Sequence, residues 1–478
     1  MCIAVAAAGE GPPMPAERPF ALVWFRRDLR LQDNPALHAA LVSGHPVLAL
    51  YIHDPRPADG WALGGANRWY LHQSLLALQQ DLAEIGVPLA CLKGDAEGEM
   101  KGFLTRRAVA KLYCNRVVEP GQGEVEADLC ALAERGRIEV ETFHDDSLLP
   151  PERVAKKDGT SYKVFTPFWR HVSDLLQRNG VEQRLFPRPR PAADPLPADP
   201  LEVEKLGLLD AHPWHRKLQA YWSPGESSAF KVFSRFLQER IDGYDDWRDF
   251  PARQGTSRLS AALHFGELSA ARLYAVCQGR LAHKADEGAR AGIRRFLAEI
   301  GWREFSRHLL HAYPRSPAIS LNGRFERPGA WAQDHNDRRL RAWQRGETGI
   351  PLVDAGMREL WESGWMHNRV RMVAASFLTK NLGIHWRQGA AWFWDTLVDA
   401  DLASNTLGWQ WVAGCGTDAA PYYRIFNPQL QARKFDPAGE YIRRWLGDGI
   451  EPAPLVDLGA SRDRALQRYQ AVIRGASG

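Results

Sequence analysis

Ala21-Leu-Val-Trp-Phe25 is the first of five short apolar runs in the N-terminal third of this 478-residue chain. The other four runs span residues 47–52, 87–92, 111–118 and 138–143. Runs of this length with helical patterns between them indicate buried strands joined by crossover helices. Asn34 followed by Pro35 is typical of a helix start. The sequence therefore predicts a doubly wound, five-stranded parallel sheet, which binds ligands at the carboxyl ends of its strands.

The character of the sequence changes after this region. Six prolines between Pro187 and Pro200 exclude a regular helix or central strand there and predict an extended connection. Beyond about residue 225 the strand signals nearly vanish, and long amphipathic patterns indicate helices. We predict four segments: a disordered tail (1–19), an α/β domain (20–150), an inter-domain linker (151–224) and a larger all-α domain (225–475).

Composition restricts the class of protein. A net charge of +4 and a hydrophobic content of 45% are ordinary for a globular chain, and no apolar run is long enough to span a membrane. The six cysteines are scattered without a C-x-x-C pair, which predicts reduced thiols in a cytoplasmic protein and no metal site. No G-x-G-x-x-G or Walker loop is present, so neither of those nucleotide sites is predicted.

Two local patterns allow more than one interpretation. The run Gly255-Thr-Ser-Arg-Leu-Ser260 places hydroxyl groups before a helical pattern, where they either hold a phosphate or simply cap the helix. Arginines are frequent between residues 234 and 310, as expected for solvated helix faces or for a phosphate-binding surface. Taken alone, the helix cap is the simpler interpretation of the first pattern.

Helical spacing also brings unusual residue types together. Glu299, Trp302 and Arg303 share one face, either as a structural ion pair or as a platform on which a base could stack. A second face combines residue types that rarely form a core stripe: Trp365, Asn368, Arg371 and Met372. Ligand contact and packing are equally compatible with this second face.

The densest feature is a tryptophan cluster. Five of the 18 tryptophans fall within residues 386–411, next to Asp399, Asp401 and Asn405. Leu and Phe fill a core without an N–H group to satisfy, so this density indicates a site for a planar ligand with polar edges. No His or Cys supports a metal among the two aspartates, and pairing with an arginine such as Arg371 is the better interpretation.

Together these motifs resemble those of the photolyase/cryptochrome flavoprotein family. The resemblance extends from about Ala21 to Trp445 and rests on the order and spacing of several blocks. The blocks are Trp24-Phe-Arg-Arg-Asp-Leu-Arg30, Tyr162-Lys-Val-Phe-Thr-Pro-Phe168, Gly255-Thr-Ser-Arg-Leu-Ser260, Leu263-His-Phe-Gly-Glu267, Trp302-Arg-Glu-Phe305, Gly364-Trp-Met-His-Asn-Arg369, residues 399–411, Gly416-Thr-Asp-Ala-Ala-Pro-Tyr422 and Arg424-Ile-Phe-Asn-Pro428. The resemblance implies an N-terminal α/β domain and a C-terminal all-α domain that binds FAD.

The resemblance also implies individual cofactor contacts. The residues placed around FAD are Tyr244, Thr256, Ser257, Arg258, Leu259, Ser260, Phe296, Asn368, Arg371, Asp399, Asp401 and Asn405. Asn405 is implied to face the flavin N5 atom. The family carries Asn there in its repair enzymes, Cys in animal cryptochromes and Asp in plant cryptochromes, so Asn405 favours repair.

Further residues are implied to bind a pyrimidine dimer flipped out of DNA, which a damaged, poorly stacked pair allows more easily. They are Arg248, Glu299, Trp302, Arg303, Asn368, Arg369, Met372 and Trp411. Glu299 is implied to bind the base edge of the dimer. Trp409 and Trp386 are implied to relay electrons to oxidised flavin. Gln333 stands where the family usually has its outermost tryptophan, so Trp331 is the candidate exit.

The implied function is light-driven repair of cyclobutane pyrimidine dimers, a carbon–carbon lyase reaction started by an electron from photoexcited reduced FAD. The alternatives are a cryptochrome-type photoreceptor that signals through a protein partner, and a light-independent flavin electron carrier. The presence of Glu299, Trp302, Asn405 and Trp411 favours repair. We also expect a monomer that contacts damaged DNA and no membrane, with an antenna pigment near residues 114–120. The antenna is expected to be 5,10-methenyltetrahydrofolate rather than 8-hydroxy-5-deazaflavin.

Overall fold

The five predicted strands form one parallel sheet in the computed structural model. The structure describes residues 18–56, 60–181, 185–196, 202–283, 286–332, 337–418, 423–447 and 453–474. The strands are β1 (Phe20–Phe25), β2 (Val47–His53), β3 (Leu89–Lys93), β4 (Val109–Arg116) and β5 (Glu139–His144). Their order is β3-β2-β1-β4-β5, with every neighbouring pair parallel. The doubly wound sheet is confirmed, with strand ends within two residues of the prediction. The predicted tail over 1–19 lies outside the described residues except for its last two.

Crossover helices cover both faces of this sheet, which explains why its strands are continuous apolar runs. The helices are α1 (Pro35–Val42), α2 (Gly65–Glu84), α3 (Ala96–Arg106) and α4 (Pro120–Arg135). The predicted helix start at Asn34 is confirmed, because its side chain accepts a hydrogen bond from the Leu37 N–H at 3.0 Å. Strand order reverses at β1, which lies between β2 and β4. The crevice at the carboxyl ends of β1 and β4 is therefore the expected ligand position.

The segment predicted as a linker contains a helix, α5 (Phe165–Asn179). Phe168, Val172 and Leu176 are buried on one face of α5. Their spacing of four residues was the signal of an amphipathic helix, which the neighbouring proline-rich stretch obscured. Residues 185–196, where prolines concentrate, hold neither helix nor strand, as the proline content predicted.

Beyond residue 225 the described residues contain helices and no strand. The helices are α6 (Glu226–Glu239), α7 (Tyr244–Trp247), α8 (Ser260–His264), α9 (Ala270–His283), α10 (Glu287–Ala312), α11 (Asp337–Arg345), α12 (Pro351–Ser363), α13 (Asn368–Ser376), α14 (Trp386–Thr396), α15 (Leu402–Ala413), α16 (Pro428–Phe435), α17 (Glu440–Leu446) and α18 (Leu458–Arg474). The predicted helical fold of this part is confirmed, and α13 continues directly into a π-helical turn at Phe377–Asn381. Within the described ranges, every helix is too short or too polar to cross a membrane.

The sheet and the helical part meet tightly around Gly266. A Cβ atom at this position would lie 1.9 Å from the carbonyl oxygen of Arg27, and the backbone φ is +70°, so glycine is required here. The adjacent Glu267 is fully buried, and burial raises its pKa to about 7. Its carboxyl group accepts hydrogen bonds from the Tyr70 hydroxyl at 2.9 Å and the Ser74 hydroxyl at 2.6 Å. These contacts join α2 of the sheet domain to the helical part.

Candidate functional site

A cavity of about 820 Å³ opens beside the predicted phosphate loop. Thr256, Ser257, Arg258 and Leu259 all line this cavity. Leu259 occupies the cap position of α8, and no side chain caps that helix. The helix-cap interpretation of the hydroxyls is therefore wrong, and the hydroxyls of Thr256 and Ser257 remain at the cavity wall.

Arg258 places a positive charge in this cavity. Its backbone has a φ of 55°, which is uncommon for a residue other than glycine and typical of functional sites. The guanidinium carbon lies 4.9 Å from the ring centre of Trp222 and 4.6 Å from that of Trp365. Two indoles thus hold the cation by cation–π contacts, and its charge is available to an anionic ligand.

The wall of this cavity of about 820 Å³, hereafter the larger cavity, also contains buried polar groups. Among the described residues, Trp445 Nε1 is buried and has no hydrogen-bond partner, and both Trp445 and His367 line the cavity. Glu359 lines the cavity as well. Its carboxyl group accepts hydrogen bonds from the Tyr441 hydroxyl at 2.6 Å and from the backbone N–H of His367 at 3.2 Å. Burial lowers the pKa of His367 to about 4 and raises that of Glu359 to about 7. An unpaired buried donor indicates that a polar ligand completes this wall.

A second cavity of about 180 Å³ gathers residues that lie far apart in the sequence. The predicted site residues that line it are Asn368, Arg371, Met372, Asp399, Asp401, Asn405 and Trp409. The predicted carboxylate–arginine pair exists: Arg371 Nη2 lies 3.1 and 2.9 Å from the two oxygens of Asp399. Asn405 donates its amide N–H to the Ala390 carbonyl at 3.1 Å, which orients the amide. Because both aspartates precede α15 and lie outside any helix, both reach the same cavity.

Asp401 is the centre of a buried network of charges. Its Oδ1 caps α15 by accepting the Ser404 N–H at 2.8 Å, and its Oδ2 lies 3.2 Å from Arg307 Nη2 and 3.5 Å from His264 Nδ1. Burial alone would raise the pKa of Asp401, but Arg307, His264 and Arg27 together outweigh burial and hold this pKa well below its usual range. Burial, and then the charge of Arg27, lowers the pKa of His264 to about 4, so this imidazole is neutral at pH 7. Sequence patterns did not reveal this role of Arg307 or His264.

Arg303 belongs to the same network, which differs from the predicted contact with DNA. Its guanidinium lies 2.9 Å from Glu304 and 3.5 Å from Asp146 of the sheet domain. It also lies 3.4 Å from the Leu263 carbonyl oxygen. Helical spacing placed Arg303 on the face of Glu299, but its long side chain is neutralised by carboxylates inside the protein. The predicted contact of Arg303 with DNA stays a prediction.

Glu299 and Trp302 have protein partners that prepare them for contact. Arg248 donates a hydrogen bond to Glu299, and Arg295 lies 3.8 Å from the same carboxylate. One face of Trp302 stacks on Phe165, with ring centres 3.8 Å apart and planes 8° apart. Both side chains are partly exposed, so each can still contact a ligand while its protein partner holds it in place.

Two other predicted DNA contacts are also held by protein groups. Arg369 Nη2 lies 2.6 Å from Asp249, and the guanidinium lies over the ring of Phe435 at 4.4 Å. Trp411 donates its indole N–H to the Asp418 carbonyl at 3.0 Å and is half-buried. These contacts orient both side chains before any ligand arrives.

Three predicted cofactor residues line neither cavity. Tyr244 and Phe296 are buried in the core and contact each other edge to face, with ring centres 6.0 Å apart. Ser260 is the first residue of α8 and is exposed, but it is not part of the larger cavity wall. Their predicted contacts with a cofactor stay predictions.

Several aromatic rings connect the smaller cavity with the protein surface. Trp409 lines the cavity and packs against α14 at Gly389, one turn beyond Trp386. The Trp386 ring lies 5.8 Å from the ring of His385, and the latter lies 4.7 Å from the ring of Trp331. Trp386 is fully buried, whereas Trp331 is half-buried. The Trp386, His385 and Trp331 rings therefore form one series, with His385 as an unpredicted member. The rings next to Trp409 include those of Phe393 at 5.0 Å and Trp343 at 6.1 Å, and the relay role of the three tryptophans stays a prediction.

A third cavity of about 400 Å³ lies at the carboxyl ends of β1 and β2. Trp24 and Arg26 line it, and the Trp24 Nε1 and the Arg26 Nε and Nη1 atoms are buried without a hydrogen-bond partner. Glu119, from the segment predicted to contact an antenna pigment, also lines it and pairs with Arg27. His264 forms another part of the wall and thereby connects this cavity to the charge network of the smaller cavity.

Comparisons with known proteins agree over most of the chain. Residues 21–192 match a family model described as DNA photolyase, and residues 296–449 match one described as FAD binding domain of DNA photolyase. The deoxyribodipyrimidine photo-lyase of Agrobacterium fabrum is 40% identical over 94% of this chain and 98% of that protein. Cryptochrome-1 of Arabidopsis thaliana is 36% identical over 89% of this chain and 62% of that protein. The crystal structure of a bacterial class III photolyase from Agrobacterium tumefaciens has a TM-score of 0.86 at 38% identity, covering 97% of this chain and 100% of that chain.

Proposed function

Because the chain belongs to the photolyase/cryptochrome family, we propose that it repairs cyclobutane pyrimidine dimers in DNA by light-driven electron transfer from a bound, reduced FAD. One observation carries this proposal. The smaller cavity is lined both by residues predicted to contact the flavin, such as Asp399 and Asn405, and by residues predicted to contact the dimer, Asn368 and Met372. A flavin and a dimer bound by these residues would be close neighbours, as direct electron transfer requires. We place this reaction in the cytoplasm.

The residues around the larger and the smaller cavity fit FAD. The hydroxyls of Thr256 and Ser257 and the charge of Arg258 suit a diphosphate, and the unpaired N–H group of Trp445 suits a further polar edge of the cofactor. When bound and reduced, FAD supplies under blue light the electron that splits the cyclobutane ring, and it takes the electron back afterwards. The protein supplies binding, orientation and surroundings that exclude water.

The side chains have separate tasks in this proposal. Asn405 offers the flavin an amide that hydrogen-bonds without ionising, and its bond to Ala390 holds it in place. Glu299, held by Arg248, binds the polar base edge of the dimer. Trp302, backed by Phe165, is the surface on which the dimer stacks. Arg248, Arg303 and Arg369 are the cations proposed to hold phosphate or the rim of the site.

We extend the proposal to an antenna pigment in the third cavity. Its buried, unpaired donors on Trp24 and Arg26 suit an anionic ligand with a planar ring system. His264 lies between this cavity and Asp401 of the smaller cavity, so a pigment there would lie near the flavin. 5,10-Methenyltetrahydrofolate remains our choice over 8-hydroxy-5-deazaflavin.

The test is a light-dependent repair assay on DNA that contains thymine dimers, with an absorption spectrum of the same sample. We expect FAD absorption and dimer loss under blue light only. A sample that is fully loaded with reduced FAD and leaves the dimers intact would contradict repair and support the photoreceptor alternative.

We expect Glu299→Gln to weaken the binding of dimer-containing DNA by about tenfold or more, because a charge-assisted hydrogen bond contributes about 1.5–3 kcal/mol. FAD content should not change, since Glu299 lines neither the larger nor the smaller cavity. Filter binding and repair yield measure the effect. Glu287→Gln, at the exposed start of the same helix, is the matched control and should behave as wild type. Equal DNA binding by both variants would remove Glu299 from the site.

We expect Trp386→Phe to nearly abolish photoreduction of oxidised FAD while repair by chemically pre-reduced enzyme continues. The phenyl ring is harder to oxidise than indole, so the relay is interrupted although the core stays filled by an aromatic ring. Absorbance changes under blue light measure photoreduction. Trp361→Phe replaces an exposed tryptophan that is 51% accessible and serves as the control. Unimpaired photoreduction in Trp386→Phe would show that electrons follow another route.

A further inference from the structure

His385 lies between the two outer tryptophans of the proposed relay. Its ring centre is 5.8 Å from that of Trp386, with 30° between the planes, and 4.7 Å from that of Trp331, with 51° between the planes. Trp386 is fully buried, and the other two rings are half-buried. The three rings therefore form an unbroken series of contacts from the core towards the surface.

Hydrogen bonds hold each ring of this series. Trp386 donates its indole N–H to Ser320 Oγ at 3.1 Å, and Trp331 donates its own to the Phe325 carbonyl at 2.8 Å. His385 Nδ1 accepts the Arg387 N–H at 3.1 Å, which makes His385 the N-cap of α14. With Nδ1 occupied as an acceptor, the neutral imidazole carries its proton on Nε2. A second proton on Nδ1 would break this cap.

Few charges face His385 among the described residues. Glu326, from the 3₁₀ turn Gly323–Glu326, favours the imidazolium, and Arg387 of α14 opposes it. Arg468 of α18 packs over the preceding turn at Gly383. Burial has the largest effect and lowers the pKa of His385, so the imidazole is neutral at pH 7.

We propose that the neutral ring of His385 is the bridge through which Trp331 delivers an electron to Trp386, and that a proton on this ring blocks the delivery. The inference rests on the proposed function, because it concerns the re-reduction of a bound flavin. Electron tunnelling weakens steeply with the gap between rings, and His385 fills the gap between these two. A positive imidazolium would repel the positive charge that has to pass it.

The proposed step moves one electron and breaks no bond. Trp409 would give one electron to a bound, photoexcited oxidised flavin, which supplies the oxidising power, and Trp386 would refill Trp409. One electron then passes from the Trp331 indole to the oxidised Trp386 indole, so the positive charge moves outwards by one residue. A soluble thiol finally reduces Trp331 by one electron, becomes a thiyl radical and releases its proton to water.

Two substitutions distinguish the effect of the His385 ring itself from the effect of protonating it. His385→Phe keeps an aromatic ring that cannot be protonated, and His385→Asn keeps a good N-cap but removes the ring. The FAD-loaded protein would be illuminated with a thiol present while absorbance records photoreduction, from about pH 8 down to about pH 5. NMR titration of the His385 imidazole gives its midpoint independently of any activity. Glu326→Gln should move that midpoint to lower pH, because the carboxylate that favours the imidazolium is lost.

We expect photoreduction by the wild type to fall roughly tenfold or more as pH drops through the NMR midpoint, because like charges this close repel strongly. His385→Phe should keep the high-pH rate throughout, and His385→Asn should be slow at every pH. A parallel fall in wild type and His385→Phe, or a wild-type rate in His385→Asn, would overturn the proposal. Absence of photoreduction in loaded wild type at pH 8 would instead contradict the tryptophan relay of the proposed function.

Discussion

Replacing Asp401 with asparagine is expected to lower the free energy of unfolding by about 1.5–3 kcal/mol, because it removes a charge-assisted hydrogen bond to the buried Arg307. The helix cap survives, since asparagine caps as well as aspartate. Arg307 keeps Asp146 as a partner at 3.1 Å, but its Nε and Nη1 atoms already lack hydrogen-bond partners. FAD content should fall as well, because Asp401 lines the smaller cavity. Urea denaturation and the flavin-to-protein absorbance ratio measure the two effects.

Asp457→Asn is the matched control for Asp401→Asn. Asp457 also caps a helix, accepting the Ala460 N–H at 2.7 Å, but it is exposed and pairs with no buried cation. We expect a change in stability within about 0.5 kcal/mol for this surface substitution. Equal stability losses in both variants would show that the charge of Asp401 adds no stability through the buried network.

The contribution of Asp401 should also depend on pH. Its pKa in the folded protein lies below the unfolded value of about 3.9. Its stabilising effect is therefore complete above that unfolded value and is lost as pH falls towards the folded value. The stability difference between wild type and Asp401→Asn should shrink below about pH 4, and a constant difference would contradict this assignment.

Gly389→Ala is expected to displace Trp409 and to slow photoreduction of the flavin severely. A Cβ atom at residue 389 would lie 2.1 Å from Trp409 Cη2 and 2.6 Å from Leu378 Cδ2, so both side chains have to move. Overpacking of this kind costs about 1–3 kcal/mol, against a gain of up to about 1 kcal/mol in helix propensity. Trp409 lines the smaller cavity, so its displacement should also reduce FAD content. Thermal denaturation, flavin absorbance and photoreduction rate test these effects.

The same substitution at Gly279 of α9 should change the stability of the protein in the opposite direction. A Cβ atom there would meet nothing within 4 Å, so alanine should stabilise the protein by about 0.5–1 kcal/mol. Photoreduction should not change. A Gly389→Ala protein that is as stable as Gly279→Ala and photoreduces normally would show that Trp409 has room to move without loss of function.

Much of the fold follows from local sequence patterns. The strands are continuous apolar runs because helices cover the sheet on both sides. The amphipathic patterns beyond residue 225 correctly predicted helices. α5 was missed because its apolar spacing lies in a segment dominated by prolines further on. Part of the candidate site was also indicated by the sequence, because Asp399 and Asn405 lie beside an unusually dense tryptophan cluster, whereas the loop at Thr256 was more simply interpreted as a helix cap until the structure showed it at a cavity wall.

The rest was decided by tertiary packing. Helical spacing shows which side chains share a face, but it does not show which neighbour they meet, so it did not reveal that Arg303 lies 3.5 Å from Asp146 of the sheet domain. Glu359 and His385 carry no sequence signal, since a charged or cap residue in a helix usually faces water. By itself the sequence determined the α/β and all-α architecture, because periodicity controls which surfaces are buried. Only the tertiary structure decided which charges pair and which rings touch, because those contacts depend on how distant helices pack together.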